Sequence, residues 1–108
     1  MVRPSRFEIH LVALDPAVGA EMQKTRPCVV VSPDESNHRI RTVVIVPLTS
    51  EPKGFPGRIR LRFQNRDGEV GIDQLRAVDK SRLLRRIGTV KGDDARRISD
   101  ALVDFFSF

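Results

Sequence analysis

Two short runs of mostly β-branched residues constrain the fold of this chain more than any other feature. Residues 28–32 read CVVVS and residues 42–48 read TVVIVPL, with no alternation between apolar and polar side chains. β-Branched side chains favour extended backbone, and continuous apolar runs of this length are typical of strands that are buried on both faces. The two runs therefore predict two central strands, and Pro33 and Ser36-Asn37 mark the connection between them.

Three further segments have the pattern of strands. Residues 7–14 (FEIHLVAL) end at the turn-prone Asp15-Pro16. Residues 69–75 (EVGIDQL) follow a turn signal, Arg66-Asp67-Gly68, so we expect them to form a hairpin with the preceding strand. That strand, GRIRLRF, alternates strictly, which predicts an inward apolar face and an outward basic face; the two sets are Ile59, Leu61 and Phe63 against Arg58, Arg60 and Arg62.

The last part of the chain changes its period. Residues 80–90 (KSRLLRRIGTV) indicate an irregular segment and a final short strand. In residues 92–108 the apolar positions recur at helical spacing, after Asp93 and Asp94, which favour a helix N-terminus; these positions are Ile98, Ala101, Leu102, Phe105 and Phe106. We therefore predict a single domain over residues 1–108, mainly β (α+β by content), with a small antiparallel barrel or curled sheet and a C-terminal helix.

Charge is the feature of the composition that bears most on function. Nineteen Lys and Arg against 14 Asp and Glu give a net charge of +5, which favours a polyanionic partner such as nucleic acid, although a basic but merely solvated surface has the same composition. Cys28 is the only cysteine, so we expect a buried thiol and no internal disulfide. The N-terminus lacks the apolar core of a signal peptide, and no run is long enough to span a membrane, so a cytoplasmic location is expected.

The common catalytic motifs are missing from the sequence. It contains no Gly-rich phosphate loop, GxSxG, CxxC or HExxH motif, so we expect neither a metal nor a cofactor. Nothing in their spacing brings His10 and His38 together as an acid–base pair.

Two loops carry groups that suit a phosphodiester. RNA is cleaved without water when its own 2′-hydroxyl attacks the adjacent phosphorus; Arg then stabilises the phosphate charge, a Thr hydroxyl donates a hydrogen bond and a carboxylate accepts the proton. Spacing alone leaves open that Arg26 is a solvated loop residue and Thr49 a strand-end hydrogen-bonding residue. The candidate groups are Glu21, Lys24, Thr25 and Arg26 in the loop over 15–26, and Thr49, Ser50 and Lys53 in the loop over 49–57.

Taken together, these segments resemble the MazF/PemK (Kid) family of toxin ribonucleases over nearly the whole chain. The most specific stretch is residues 11–37, LVALDPAVGAEMQKTRPCVVVSPDESN, in which Asp15-Pro16, Gly19, Glu21, Arg26-Pro27 and the valine run into Ser32-Pro33 fall in family order and spacing. Further matching stretches are VPLTS (46–50), GIDQLRAVD (71–79) and IGTV (87–90) before the terminal helix.

The resemblance implies an SH3-like barrel of five to seven short strands that forms a homodimer, with RNA in grooves near the subunit interface. It implies metal-free cleavage of single-stranded RNA that leaves a 2′,3′-cyclic phosphate and a 5′-hydroxyl, with Arg26 and Thr49 as the matched catalytic residues. Glu21 matches a loop acid of some members, and Asp73 matches an acid of the Kid branch. The residues expected to bind RNA are Lys24, Thr25, Ser50, Lys53, Asp73, Gln74 and Arg76.

The family also implies a protein partner, an antitoxin whose acidic tail covers the RNA groove, and no membrane partner. A polyacidic segment suits the positive charge of this chain. The outward arginines of GRIRLRF could contact RNA or the antitoxin, or could form a solvated edge that blocks aggregation.

The sequence departs from the family at four positions. His10 replaces the usual Trp and Phe7 a usual Gly, while Ala20 and Gly71 replace a His and an Arg of the Kid acid–base set. These departures favour the version that uses Arg and Thr and leave the proton acceptor unassigned.

Two other functions are compatible with such a barrel. One is a non-catalytic module that binds RNA or an antitoxin. The other is a gyrase poison of the CcdB kind, which relies on a Trp-containing C-terminal tail, whereas this chain has no Trp and ends in FFSF.

Overall fold

A curled antiparallel sheet with a long helix packed on it makes up the described part of the chain, residues 3–108 of a computed structural model. The strands in this range are β1 (Glu8–Ala13), β2 (Thr25–Val30), β3 (Thr42–Thr49), β4 (Arg58–Phe63), β5 (Arg66–Gly71), β6 (Arg76–Asp79) and β7 (Leu83–Thr89). The helices are α1 (Asp34–Asn37), a single turn, and α2 (Gly92–Phe106), and 3-10 turns cover Ile72–Gln74 and Lys80–Arg82. The predicted mainly β fold with a C-terminal helix is confirmed.

The longest strand, β3, is hydrogen-bonded along both of its edges. One edge pairs with β2, from Val30 opposite Ile45 to Cys28 opposite Pro47. The other edge pairs first with β6 over residues 42–45 and then with β5 at residues 48 and 49. Its side chains are almost all buried, as the apolar run predicts, and β3 is therefore the centre of the sheet.

The sheet curls without closing into a continuous hydrogen-bonded barrel. Its strand order is β4-β5-β3-β2-β1-β7, so β4 and β7 are the two ends of the described sheet. Their side chains nevertheless meet, because Phe63 of β4 packs on Gly88 of β7. A Cβ atom at Gly88 would lie 2.8 Å from a carbon of the Phe63 ring, so this contact needs a glycine.

Helix α2 packs on the sheet through the first half of its apolar face. Ile98 is fully buried in the main core together with Ile9, Val46 and Val70. By contrast, the predicted face positions Phe105 and Phe106 are 46% and 64% exposed, and their rings contact each other edge to face at 5.2 Å. The helix therefore begins on the core and ends beyond it.

A second group of buried side chains surrounds Cys28. It includes Val12, Val30 and Ile45, and burial there raises the pKa of the Cys28 thiol to about 12. The expectation of a buried, unreactive thiol is confirmed. Within residues 3–108, neither helix has the length and apolar character needed to span a bilayer.

The structure corrects two predicted boundaries around the loops. Strand β2 begins at Thr25 and not at residue 28, so Arg26 and Pro27 belong to a strand and not to the loop. The strand predicted over 69–75 ends at Gly71 and continues as a 3-10 turn. Helix α1 and strand β6 lie in segments for which neither was predicted.

The turn between β4 and β5 begins two residues earlier than the sequence predicts. Phe63 pairs with Arg66, so the turn consists of Gln64 and Asn65, and Arg66-Asp67-Gly68 are strand residues. Gln64 and Asn65 have φ values of 51° and 60°, as a two-residue type I′ turn requires. Asn65 is therefore the turn-forming residue, whereas Gly68 belongs to β5.

Truncation of Ile98 tests how far α2 depends on this packing. Ile98→Ala should lower the free energy of unfolding by about 2 to 5 kcal/mol, because a fully buried side chain leaves a cavity. Val103→Ala on the same helix is the control, since Val103 is 70% exposed and should change stability by less than about 0.5 kcal/mol. Urea unfolding measures both; equal effects would contradict the packing described here.

Candidate active site

Arg26 and Thr49, the two residues matched to catalytic positions, line one cleft of about 210 Å³. Residues 25–27 of β2 and residues 48–50 at the end of β3 form one side of this Arg26–Thr49 cleft, and the β4–β5 hairpin contributes the other. Thr25 and Ser50, both expected to bind RNA, are in the lining. The structure thus brings together two segments that are more than twenty residues apart in the sequence.

The pairing of β2 with β3 is what places Arg26 near Thr49. The ladder ends at Cys28 opposite Pro47, and Arg26 and Thr49 each lie two residues beyond that pair, in the same two strands. Opposite residues of an antiparallel pair have their side chains on the same face, and so do residues two apart along a strand. The two side chains therefore share a face because of the strand register.

The Arg26 guanidinium is free for a ligand. Its Nε donates to the Gln23 carbonyl oxygen at 3.1 Å, which orients the group, and it forms no salt bridge with any residue in the range 3–108. Thr49 is 9% exposed, and its Oγ1 accepts the Glu51 N–H at 3.2 Å. The hydroxyl proton of Thr49 can then be donated to a phosphate oxygen.

A second cleft of about 270 Å³ lies directly beside the first. It is lined by Glu21, Met22, Pro47 and residues 73–76, and we name it the Glu21 cleft. The two clefts lie close together because Pro47 lines one, and Thr49, two residues further along β3 and on the same face of that strand, lines the other. The clefts together contain all predicted site residues except Lys24 and Lys53.

Side-chain bonds to the backbone hold the Glu21 cleft together. Gln74 Oε1 accepts the Met22 N–H at 3.1 Å, which ties the loop after β1 to the 3-10 turn. Arg76 donates to the Leu14 carbonyl oxygen at 3.1 Å. Glu21 itself accepts the Val18 N–H at 2.7 Å. The structure therefore separates the Glu21 carboxylate from Arg26 and Thr49, which lie in the neighbouring cleft.

Two predicted RNA-binding residues lie outside the clefts. Lys24 is exposed, and its N–H donates to Asp15 Oδ1 at 2.8 Å. Lys53 is also exposed, and its N–H donates to the Glu69 carboxylate. Both residues are thus exposed and outside the linings of the two clefts.

A buried carboxylate, Glu69, is the main feature that the sequence does not reveal. Glu69 is 1% exposed and pairs across the sheet with Thr49. It accepts the Lys53 and Gly54 N–H groups, the shortest of these bonds being 2.8 Å to Gly54, and Arg58 Nη1 at 2.9 Å. Residues 68–71 are all buried. Burial therefore does not alternate along this part of β5, and the pattern does not distinguish Glu69 from its neighbours.

Arg58 connects Glu69 to the Glu21 cleft. Its Nε donates to Asp73 Oδ1 at 2.6 Å, and its side chain is only 7% exposed. The prediction that Arg58 faces solvent is therefore wrong, because two carboxylates compensate its charge in a buried place. Arg60 and Arg62 are exposed, as predicted.

Hydrogen bonding keeps both acids of this network ionised. The hydrogen bond from Arg58 lowers the pKa of Asp73. Burial raises the pKa of the Glu69 carboxyl, but hydrogen bonds from the Gly54 N–H and the Arg58 guanidinium outweigh burial, so the pKa lies below its ordinary value. Asp73, a predicted RNA-binding residue, is thus already engaged by Arg58.

The positions that depart from the family pattern have clear surroundings. His10 is 2% exposed, and its Nε2 lies 2.9 Å from Glu8 Oε1. Gly71 is buried, and a Cβ there would lie 3.4 Å from Arg58 Nε. Arg58, and not residue 71, therefore places a guanidinium beside Asp73.

The two histidines belong to different parts of the fold. His10 is in β1, whereas His38 lines a depression of about 460 Å³ formed by residues 38–41, 79–81 and 83. None of the predicted site residues lines this depression.

These features are those of a domain that binds a phosphodiester. The chain is a small, basic, mainly β domain with an unpaired arginine and a hydroxyl in one cleft, which suits the binding of a phosphodiester.

Comparison with known proteins identifies the family. Residues 5–106 match the family model described as PemK-like, MazF-like toxin of type II toxin–antitoxin system. The chain is 32% identical over 96 residues to the endoribonuclease toxin MazF of Escherichia coli K12, which covers 88% of this chain and 86% of that protein. It is 36% identical over 107 residues to the endoribonuclease PemK of Escherichia coli, covering 90% and 80%. The chain belongs to the PemK-like, MazF-like toxin family, as the sequence predicts.

Solved structures agree with this fold. The crystal structure of MazF (Form-I) from Deinococcus radiodurans matches with a TM-score of 0.87 and 24% identity, and the match covers 100% of both chains. A structure of MazE-MazF (Form-II) from the same organism matches with a TM-score of 0.81 and 24% identity, covering 100% of this chain and 99% of that chain.

The ionised state of Asp73 predicts acid sensitivity. Because its folded pKa is lowered, the unfolded state takes up the proton first, so the stabilisation is present above the ordinary pKa of about 4 and is lost as pH falls below it. Asp73→Asn should therefore be less stable than the wild type at pH 7 and should lose less stability between pH 5 and pH 3. Urea unfolding at each pH measures this. Asp100→Asn, at an exposed helix position, should keep the wild-type slope; a wild-type slope in Asp73→Asn would refute the ion pair.

Proposed function

We propose that this chain is an endoribonuclease toxin that cleaves single-stranded RNA in the Arg26–Thr49 cleft. The observation that carries the proposal is the placement of an unpaired guanidinium and a threonine hydroxyl on one face, in one cleft, by the register of β2 and β3. The relatives named endoribonucleases support the reaction class.

The proposed reaction is an internal transfer at phosphorus and uses no metal. The 2′-oxygen forms a bond to phosphorus, and the bond from phosphorus to the 5′-oxygen of the next nucleotide breaks. The 2′-hydroxyl proton passes to a base and the leaving 5′-oxygen takes up a proton. The products are a 2′,3′-cyclic phosphate and a 5′-hydroxyl, and no water or oxidant is consumed.

Arg26 and Thr49 have distinct roles in this scheme. The planar guanidinium can bind two non-bridging oxygens and stabilise the charge that builds on them in the transition state. The Thr49 hydroxyl donates to one of these non-bridging oxygens or to the leaving 5′-oxygen. Because Thr49 is nearly buried and its Oγ1 is already held by the Glu51 N–H, it is preorganised for that bond.

Glu21 is the proposed proton acceptor, and it lies outside the Arg26–Thr49 cleft. Its carboxylate lines the neighbouring cleft and accepts the Val18 N–H, so proton transfer would need movement of the loop after β1. The Glu21 cleft is better suited to hold RNA beside the scissile phosphate. Gln74 and Arg76 can contribute there, together with Asp73.

We also propose that an antitoxin segment rich in acidic residues covers the two clefts and that the toxin acts as a homodimer. The net charge of +5 favours such a segment, and the exposed Lys24 and Lys53 lie beside the clefts. Structures of MazE-MazF from Deinococcus radiodurans provide the precedent for an antitoxin partner.

Cleavage of a long single-stranded RNA in EDTA tests the catalytic proposal. The wild type should cleave, and the 5′ ends of the products should be hydroxyls. Arg26→Ala and Thr49→Val should each reduce the cleavage rate by at least about 100-fold, because each removes a transition-state donor. Arg26→Lys should recover only part of the rate, since it keeps the charge but loses the planar fork.

Arg60→Ala is the matched control, because Arg60 is an exposed strand arginine outside both clefts. It should cleave at nearly the wild-type rate. Persistent cleavage by folded Arg26→Ala would remove this residue from the mechanism. RNA binding by the wild type without any cleavage product would instead favour a non-catalytic binding module.

Glu21→Gln tests the proton acceptor through the pH profile of cleavage. If Glu21 is the base, the variant should lose the acidic limb of the wild-type profile, in which the rate falls as the carboxylate is protonated. A variant that is slower but keeps the same limb would show that Glu21 contacts RNA without accepting the proton. Thermal unfolding of each variant checks that it is folded.

A further inference from the structure

An exposed aromatic ring stands on the loop that separates β3 from β4. Phe55 is 54% exposed, in a chain whose six aromatic residues are all Phe. The loop starts at Ser50, which lines the Arg26–Thr49 cleft, and leads to Arg58, which binds Asp73 of the Glu21 cleft. Phe55 therefore lies on the loop that runs from a residue of the first cleft to the arginine bound to Asp73 of the second.

The backbone on both sides of Phe55 is held in place. Before it, the Lys53 and Gly54 N–H groups donate to the buried Glu69 carboxylate. After it, the Arg58 N–H donates to the Phe55 carbonyl oxygen at 3.1 Å. An exposed ring on an anchored backbone can receive a ligand with little loss of conformational entropy.

The Phe55 ring stacks against a guanidinium that cannot itself bind RNA. Arg58 Cζ lies 5.3 Å from the ring centre, within the range of a cation–π contact. The edges of that guanidinium are taken by Asp73 and Glu69, and the Arg58 side chain is 7% exposed. Arg58 thus fixes the position of the ring, while much of the ring surface remains open to solvent.

We propose that Phe55 forms a nucleobase-stacking subsite for the RNA strand as it passes from the Arg26–Thr49 cleft to the Glu21 cleft. The inference rests on the proposed function, because it supposes that RNA occupies these clefts. The ligand is one unpaired base of single-stranded RNA. Stacking on an aromatic ring accepts any of the four bases, since each has a π face. Phe55 would thus position the strand without selecting its sequence.

Abasic substitution tests the subsite directly. The substrate is a short RNA that carries a 2′-deoxynucleotide at the mapped cleavage position, so that binding is measured without cleavage, and each other base is removed in turn. In the wild type, one abasic position should weaken binding by about 5- to 100-fold, the range expected for loss of one stacked base. In Phe55→Leu that position should become nearly insensitive, whereas Phe55→Trp should retain the sensitivity.

Phe106→Leu is the matched control, because Phe106 is also an exposed Phe but lies near the end of α2. It should keep the wild-type abasic profile. If Phe55→Leu binds more weakly but keeps that profile, the ring supports only the fold of the loop and the inference is overturned. The same holds if no abasic position weakens the wild type. Absence of cleavage by the wild type would refute the proposed function alone, since the abasic binding profile could then be measured on an all-ribose RNA and would still test the subsite.

Discussion

The pairing of β3 on both edges is the constraint on which the rest of the structure depends. A buried strand leaves no water for its N–H and C=O groups, so each edge must find a partner strand. The β2 edge fixes the register that sets Cys28 opposite Pro47 and so places Arg26 and Thr49, each two residues beyond that pair, on one face. The other edge is divided between β6 and β5, and this division bends the sheet and brings residues 73–76 beside Pro47. The positions of both clefts therefore follow from the strands that pair with the backbone N–H and C=O groups of β3.

The buried Glu69 carboxylate imposes the second constraint. A charged group at 1% exposure is stable only if it is fully hydrogen-bonded and compensated. Its donors are two N–H groups of the loop after β3 and the guanidinium of Arg58, and Arg58 in turn holds Asp73. One carboxylate therefore fixes a Gly- and Pro-rich loop that would otherwise be free to move. The same network reaches Asp73, which lines the Glu21 cleft.

The sequence predicted the parts of the fold that depend on local pattern. The central strands and the terminal helix follow from runs and periods that are visible within ten to twenty residues. The predictions were wrong where contacts with residues distant in the sequence determine the position of a side chain or the bounds of a strand. Alternation places Arg58 with Arg60 and Arg62, but Glu69 and Asp73 draw Arg58 into a buried site. Likewise Arg26 precedes a Pro and follows a polar loop, yet it belongs to β2 because it pairs with Val12 of β1. The resemblance to a family, and not periodicity, identified Arg26 and Thr49.

Arg26 and Arg58 show why net charge alone does not locate a site for RNA. Both are strand arginines near the clefts, and both count equally toward the charge of +5. The Arg58 guanidinium already donates to the carboxylates of Glu69 and Asp73. A phosphate would therefore have to displace one of these two carboxylates. Arg26 has no salt bridge within residues 3–108 and is held by one bond from Nε, which leaves its outer edge for two phosphate oxygens. The acids of this chain therefore occupy Arg58 and leave Arg26 available for a phosphodiester.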